Sequence, residues 1–169
     1  MSGIYGMNIK MAIYGESHGA SIGLVIDGVP PGLKLDLEAI EKEMARRAPG
    51  KNQLSTQRKE SDSFAIQSGF FEGYTTGTPL CVVIKNSDQH SKDYSILKDK
   101  MRPGHADYAG FVRYQGFNDY RGGGHFSGRL TAPLVFIGAV AKQALAQEGI
   151  LVGAHILQIA DIKEENFNP

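Results

Sequence analysis

Two short segments combine a histidine with glycine and polar residues in a pattern that could transfer protons. Residues 15–19 read Gly-Glu-Ser-His-Gly and contain His18, and residues 102–107 read Arg-Pro-Gly-His-Ala-Asp and contain His105. Histidine is the side chain that gains or loses a proton near neutral pH, and flanking glycines give a ligand close access. We therefore predict His18 and His105 as candidate acids or bases. A structural role beside a turn is the alternative for each.

The arginines cluster where the backbone can approach an anion. All seven lie between Arg46 and Arg129, and several of them, including Arg47 and Arg102, lie close to glycine, proline or serine. A guanidinium is planar and always charged, so it binds phosphate and carboxylate groups with fixed geometry. The clustering favours an anion site over the alternative, in which each arginine is an ordinary surface residue.

A glycine-rich loop, residues 121–131 (RGGGHFSGRLT), leads into an apolar segment and could present backbone N–H groups to phosphate. It is not a Walker loop, because no Gly-Lys-Ser/Thr follows the spacing. Ser127 also stands where the dinucleotide motif requires its third glycine. The five histidines form no HExxH motif or other close ligand pair, so we expect no metal site.

Local signals predict the elements that position these residues. Residues 21–27 have strand character and end in a Gly-Val-Pro-Pro-Gly turn. Asp36 can cap a helix over residues 37–47, whose apolar positions lie three or four apart. Residues 64–71 and 79–85 are rich in β-branched and aromatic residues, so they predict two more strands, antiparallel because the link between them is short.

The last part of the chain predicts a helix and a strand. Thr131 is expected to cap a helix that begins at Pro133, extends to about Gln147 and stops at Gly149. This helix is apolar on nearly all sides, so we expect it to be buried on more than one face, between layers. Residues 150–159 predict another strand.

Composition excludes several classes of protein. The 169 residues, 41% of them hydrophobic, are expected to form a single domain over residues 1–169. Eighteen basic and eighteen acidic residues give zero net charge, so we expect no nucleic-acid partner and no membrane partner. No apolar run reaches the roughly 20 residues of a membrane span, and no signal peptide is recognisable. Cys81 is the only cysteine, which fits a reducing compartment and a cytoplasmic protein.

Several segments, taken in order, resemble the chorismate synthase family across essentially the whole chain. They are GESHG, DGVPPG, MARRAPG, FEGYTTGTPL, RPGHADY and DYRGGGHFSGRLTAP. The stretch GGGHFSGR is similar to the form seen in clostridia-like bacteria, with His and Phe in place of the commoner Arg and Ser. The resemblance implies an α+β fold, a β-α-β sandwich in which helices lie between two mostly antiparallel sheets.

The resemblance also implies an activity. The family removes the C3 phosphate and a C6 hydrogen from 5-enolpyruvylshikimate 3-phosphate, in a trans-1,4 elimination that gives chorismate. Reduced FMN is required although the reaction has no net redox change, and NADPH is an expected indirect reductant of the flavin. A family member is expected to assemble as a homotetramer.

Residue roles follow from the same resemblance. His18 would protonate the departing phosphate, and His105 would protonate the reduced flavin. The residues implied to bind substrate carry cationic or hydroxyl side chains and are Arg47, Arg102, Ser127 and Arg129. The residues implied to contact the cofactor are consecutive and are His125, Phe126 and Ser127.

Two positions depart from the family pattern. Gln53 stands where the family usually has a basic residue that contacts ligand, and His125 replaces an arginine. Family members are also much longer than this sequence, so we expect it to be the N-terminal part of a longer chain. The alternatives are a non-catalytic anion-binding fragment and, less favoured because the Walker lysine is missing, a phosphotransferase that binds a nucleotide at the glycine loop.

Overall fold

The computed structural model describes residues 3–49, 61–87, 94 and 98–164. Its main sheet has five antiparallel strands in the order β1-β2-β3-β7-β4. These strands are β1 (Ile4–Tyr5), β2 (Lys10–Gly15), β3 (Ser21–Asp27), β4 (Phe64–Ser68) and β7 (Leu80–Lys85). Two small two-stranded sheets pair β5 (Phe70–Phe71) with β6 (Tyr74–Thr75) and β8 (Gln158–Ile159) with β9 (Ile162–Lys163). The helices are α1 (Leu37–Arg47), α2 (Asp107–Arg113) and α3 (Thr131–Gln147).

The core lies between one face of the sheet and the helices α1 and α3. Alternate residues of β3 and β7 point to this face, where Leu24 and Val82 are register partners and both fully buried. Ile40 of α1 and Phe136 of α3 are also fully buried and belong to the same hydrophobic cluster. The α+β class is confirmed. Of the sandwich that the resemblance implies, the described residues form one five-stranded sheet and a layer of helices.

Two predicted elements have the expected bounds. The strand over residues 21–27 is confirmed as β3, and the helix over residues 37–47 is confirmed as α1. The Asp36 side chain caps α1 by accepting a hydrogen bond from the Ala39 N–H at 3.0 Å. The strand predicted at 64–71 is divided: its first five residues form β4, and Phe70–Phe71 form β5 in a separate two-stranded sheet. The strand predicted at 79–85 forms β7, which pairs antiparallel with β4, with a register shift between Ile66 and Ser68. Strand β2 was not predicted from the sequence.

Helix α3 differs from the prediction in its start and in its burial. The helix begins at Thr131, two residues before the predicted Pro133, and Thr131 does not cap it. The Thr131 hydroxyl instead donates to the Gly128 carbonyl oxygen at 2.6 Å. Among the described residues α3 is buried mainly on the side that faces the sheet and α1, and Leu134 on another side is 42% exposed. The expected burial on several faces is therefore not met within this part of the chain.

The strand predicted over residues 150–159 is wrong for most of its length. Only Gln158 and Ile159 form a strand, paired with β9. Residues 150–157 are exposed and lie outside any helix or strand. β-branched residues favour an extended backbone, but a strand also needs a neighbouring strand to accept and donate its hydrogen bonds. Among the described residues, only Gln158 and Ile159 of this stretch pair with one.

The stretch Arg121–Gln147 is long and apolar enough to cross a membrane by length and composition alone, a test that the core helix of a soluble protein also passes. The part that forms α3 packs against α1. Lys142 Nζ pairs with Glu43 Oε1 at 3.0 Å, and Gln143 exchanges hydrogen bonds with the Asp36 backbone at 2.8 and 2.9 Å. This packing places the start of α3, and the loop before it, beside the end of α1.

Candidate active site

A tight turn after β2 carries His18. Gly15 ends the strand with φ +100°, and a Cβ atom there would lie 2.4 Å from the Ser21 carbonyl oxygen, so only glycine fits. Within the turn, the Gly19 N–H donates to the Glu16 carbonyl oxygen at 3.0 Å. His18 is 6% exposed. The sequence therefore builds a turn that holds the imidazole inside the protein.

The glycine-rich loop lies directly on this turn. Three consecutive glycines from Gly122 to Gly124 have positive φ, and a Cβ on Gly122 would lie 2.3 Å from His18 Cε1. The Ser17 N–H donates to the Gly124 carbonyl oxygen at 3.0 Å, and His125 Nδ1 lies 2.8 Å from the Gly15 carbonyl oxygen. Glycine is thus required because the loop backbone approaches the imidazole more closely than any side chain would allow.

Arg47 and Arg129 meet at one buried carboxylate. Arg47 Nε donates to Asp62 Oδ2 at 2.7 Å, and Arg129 Nη1 pairs with Asp62 Oδ1. The side chain of Asp62 is fully buried and that of Arg129 is 4% exposed. Both guanidinium groups share this one carboxylate, an arrangement that suits the binding of an anion.

Asn86, at the end of β7, connects this cluster to the His18 turn. Its amide nitrogen donates to the Glu16 carbonyl oxygen at 3.0 Å and to the Gly19 carbonyl oxygen at 2.8 Å. Its amide oxygen accepts from Arg129 Nε at 3.1 Å. Hydrogen bonds therefore join the turn that carries the predicted acid His18 to the side chain of the predicted anion binder Arg129.

Arg102 forms a separate ion pair. Its Nε and Nη2 atoms donate to the two carboxylate oxygens of Asp107 at 2.8 and 3.0 Å. These hydrogen bonds raise the pKa of Arg102 and hold the pKa of the Asp107 carboxyl below its usual range. The Tyr94 ring contacts the His18 ring edge to face at 4.9 Å, and the Tyr94 hydroxyl contributes to the raised pKa of Arg102. Tyr94 therefore contacts the turn that carries His18 and also acts on the Arg102–Asp107 pair.

His105 lies on the surface of this segment. Its side chain is exposed, and Nδ1 lies 3.3 Å from the Pro103 carbonyl oxygen. The two histidines selected from sequence therefore occupy different environments, since His18 is buried in the turn.

A further acid lies beside His18. Asp119 accepts from Arg121 Nε at 2.8 Å and from Nη2 at 2.7 Å. Burial alone would raise the pKa of Asp119, but the hydrogen bonds and charge of Arg121 outweigh it, and the carboxyl pKa is lowered. The charge of His18 acts in the same direction. Arg102 and Arg121 are each paired with one acid, whereas Arg47 and Arg129 share Asp62.

The three residues predicted to contact the cofactor line one cavity of about 320 Å³, and they are His125, Phe126 and Ser127. Arg113 and Tyr114 line the same cavity. Phe126 also borders two neighbouring cavities of about 200 and 390 Å³, both of which include Asp119. The Ser127 hydroxyl accepts a hydrogen bond from the Arg129 N–H at 3.3 Å, so this serine joins the cavity to the arginine cluster.

Sequence reasoning missed Asp62 and Asn86. Asp62 lies in a Ser-Asp-Ser segment ahead of β4, and Asn86 follows β7, and neither belongs to a motif. Their partners are 67 and 43 residues away in Arg129, so no local spacing points to them. The predicted departure at Gln53 lies outside the described residues. Within the described ranges, no three histidine, cysteine or acidic side chains are grouped so that they could hold a metal ion.

Comparisons with known proteins agree on one family. The sequence model of the chorismate synthase family matches residues 9–169. The chain is 47% identical to a chorismate synthase of Cytophaga hutchinsonii over 163 residues, which cover 96% of this chain and 45% of that protein. It is 50% identical to one of Sulfurimonas denitrificans over 164 residues, with 97% and 46% covered. One of Pyrococcus abyssi is 49% identical, with 96% and 45% covered.

A solved structure gives the same result. A crystal structure of chorismate synthase superposes with a TM-score of 0.68 at 30% sequence identity, covering 94% of this chain and 40% of that one. The chain thus spans just under half the length of the curated relatives that it matches.

Proposed function

Because this chain belongs to the chorismate synthase family, we propose that it provides the phosphate-binding and proton-donating part of that enzyme's active site. Its relatives are chorismate synthases, lyases of aromatic amino-acid biosynthesis. The proposed reaction is the trans-1,4 elimination of phosphate from 5-enolpyruvylshikimate 3-phosphate. The observation that carries the proposal is that Asn86 joins the turn that carries His18 to Arg129, and Asp62 joins Arg129 to Arg47.

The residues suit the charges that the reaction moves. The C3–oxygen bond breaks with its electron pair on the phosphate. The C6–hydrogen bond breaks with its electron pair in the ring, the hydrogen leaves as a proton to solvent, and the ring gains one carbon–carbon double bond with no net redox change. The leaving phosphate gains negative charge, which the guanidinium groups of Arg47 and Arg129 would stabilise. A protonated His18 would donate to the departing oxygen. The carboxylate of Asp62 orients both guanidinium groups.

The residues around the cavity beside Phe126 fit a flavin. The rings of Tyr114 and Phe126 lie 6.1 Å apart, and Arg113 is in the same lining. Aromatic side chains can stack on a flat ring system, and a guanidinium can bind its phosphate. His125, Phe126 and Ser127 are the proposed flavin contacts. Reduced FMN, when bound, supplies an electron-rich ring next to the substrate.

His105 and Arg102 complete the proposal. The exposed imidazole of His105 would protonate the reduced flavin, and Arg102, oriented by Asp107, would bind a substrate carboxylate. By family membership, the proposal also includes NADPH as indirect reductant of the flavin, assembly as a homotetramer and a cytoplasmic location.

The test is an anaerobic chorismate assay with reduced FMN and 5-enolpyruvylshikimate 3-phosphate. The protein is these 169 residues followed by the remaining residues of the Sulfurimonas denitrificans relative. We expect turnover that falls at least about 100-fold in His18→Gln and in His105→Gln, the range that acid–base catalysis contributes. His155→Gln, outside the site, is the control. If the parent protein is folded and produces no chorismate, or if both variants keep the parent rate across pH 6 to 8, the proposed function is wrong.

A further inference from the structure

Asn86 lies at the edge of the main sheet where β2 and β7 end and β3 begins. It follows Lys85, the last residue of β7, whose register partner in β3 is Ser21. The turn that carries His18 joins β2 to β3, so Asn86 lies beside the turn across the sheet. The backbone N–H of Asn86 donates to the Ala20 carbonyl oxygen at 3.2 Å. The backbone of Asn86 is thus held at the end of the sheet independently of the contacts of its side chain.

The side chain of Asn86 has a defined orientation. It is 9% exposed, and its amide nitrogen faces two carbonyl oxygens, those of Glu16 and Gly19. Its amide oxygen faces the Nε–H of Arg129. Rotating the amide by half a turn would place oxygen against two acceptors and nitrogen against a donor. The surroundings therefore require an amide, with both donor and acceptor used.

We propose that Asn86 is a positioning residue that sets the distance between His18 and Arg129, so that one phosphate group can contact both. This proposal rests on the proposed function. His18 and Arg129 belong to segments far apart in the chain, and Asn86 is bonded to the turn of one and to the guanidinium of the other. Proton donation to a phosphate oxygen requires heavy atoms within about 3 Å, so a small displacement of the turn lowers the rate strongly.

Two substitutions separate the parts of this role. Asn86→Leu keeps a similar shape and removes the three side-chain hydrogen bonds described above. Asn86→Asp keeps an acceptor for Arg129 and places a carboxylate oxygen against the carbonyl oxygens of Glu16 and Gly19. In Asn86→Leu, Asp62 still holds Arg129, so anion binding persists while the His18 turn loses its support. In Asn86→Asp, the added negative charge beside Arg129 weakens anion binding as well.

The kinetic experiment uses the same full-length protein as above. We expect kcat to fall at least about 30-fold in both variants, since a 1 Å misplacement costs on the order of 100-fold. KM for 5-enolpyruvylshikimate 3-phosphate should change less than about 3-fold in Asn86→Leu and should rise more in Asn86→Asp, which adds a negative charge beside Arg129. The pH at which kcat declines should also differ between each variant and the parent protein. Ser68→Ala is the matched control, because it removes a side-chain hydrogen bond to the Pro79 carbonyl oxygen at the sheet edge. An activity loss equal to the loss of folded protein, with an unchanged pH profile, would overturn the proposal.

A second experiment does not depend on turnover. Inorganic phosphate is titrated into the same full-length protein while NMR follows the His18 ring and Arg129 Nε signals. We expect both signals to report one dissociation constant in the parent chain, and the His18 response to weaken at least about 10-fold in Asn86→Leu. Independent responses in the parent, or coupled responses in the variant, would overturn the proposal. Coupled phosphate binding with no chorismate from the full-length protein would overturn the proposed function and leave the role of Asn86 supported.

Discussion

Asp62 is the residue whose loss should destabilise the protein most among the site residues. Asp62→Ala leaves the buried guanidinium of Arg129 and its neighbour Arg47 without their shared carboxylate. Removing one partner of a buried ion pair costs about 3–5 kcal/mol, so we expect the free energy of unfolding in urea to fall by about that amount.

The matched control is Asp36→Ala, which removes an exposed helix cap and should cost about 1 kcal/mol. Equal losses in the two variants would contradict the prediction and would mean that solvent or another group balances the two arginines after the substitution.

The pair of Arg102 and Asp107 gives a prediction about pH. Hydrogen bonds from Arg102 lower the pKa of Asp107, so the pair contributes stability above the unfolded pKa of about 3.9, and this stability is lost as the pH falls through the folded value. Arg102→Gln should raise the pKa of Asp107 toward the usual value, as measured by NMR of the carboxyl carbon. The stability difference from the parent should be largest near neutral pH and vanish in acid.

Arg121→Gln is the control for this titration, because it removes the partner of Asp119 instead. It should raise the pKa of Asp119 and leave the pKa of Asp107 unchanged. A shift in the pKa of Asp107 in this variant would show that the two ion pairs are coupled, in contradiction to the separate contacts described above.

At the scale of single residues, sequence chemistry indicated candidate site residues but not the residues that hold them. The residue types of His18, Arg47 and Arg129 suit proton transfer and anion binding, and hydrogen bonds join the turn that carries His18 to both arginines. Their roles stay predictions. Asp62 and Asn86 were not predictable, because an acid or an amide gains such a role only from partners that the fold brings to it.

The glycine loop gives a prediction about a local element. Gly122→Ala places a methyl group 2.3 Å from His18 Cε1 at a backbone φ of +56°. Gly149→Ala creates the same kind of strain at φ +72° with no atom within 4 Å. We expect Gly149→Ala, the control, to lower the free energy of unfolding by about 1–2 kcal/mol, the penalty of the left-handed region. Gly122→Ala should lower it further and displace His18.

The measurements are urea unfolding and phosphate titration followed at His18. Gly149→Ala should keep parent phosphate binding, and Gly122→Ala should lose the His18 response. Identical effects of the two substitutions would show that the loop moves away from the imidazole at little cost.

Elements with complete local signals were predicted well, and those that depend on a distant partner were not. The helix α1 has a cap and an apolar period in its own sequence, and β3 ends in a strong turn signal. The stretch 150–159 has strand-forming residues but forms only two strand residues, because pairing is decided elsewhere in the chain. At α3 the predicted cap Thr131 instead bonds back to Gly128, so the helix starts earlier.

For the whole molecule, we predict that the 169 residues alone give no measurable chorismate with reduced FMN. The relatives are more than twice as long as the matched region. In the described structure Leu134 of α3 is 42% exposed, and Leu151 is 89% exposed. Apolar surface left in water costs about 25 cal/mol per Å², so the isolated chain should also self-associate.

The measurement is a side-by-side chorismate assay of the 169-residue chain and the full-length protein, with sedimentation to report the size of each. Phosphate binding through Arg129 should persist in the shorter chain, because its partners Asp62 and Asn86 are present. Comparable rates from the two proteins would show that the additional residues are dispensable for catalysis.

The long sequence separation of the contacts in the site also determines when the site can form during folding. Gly15 meets His125 across 110 residues, and Glu16 meets Asn86 across 70. Closing such loops costs entropy before any contact is made, so we expect these contacts to be absent from the folding transition state. On a ribosome, the buried acid Asp62 emerges long before Arg129 can reach it. In the nascent chain the candidate site is therefore incomplete until the loop ahead of α3 has been synthesised.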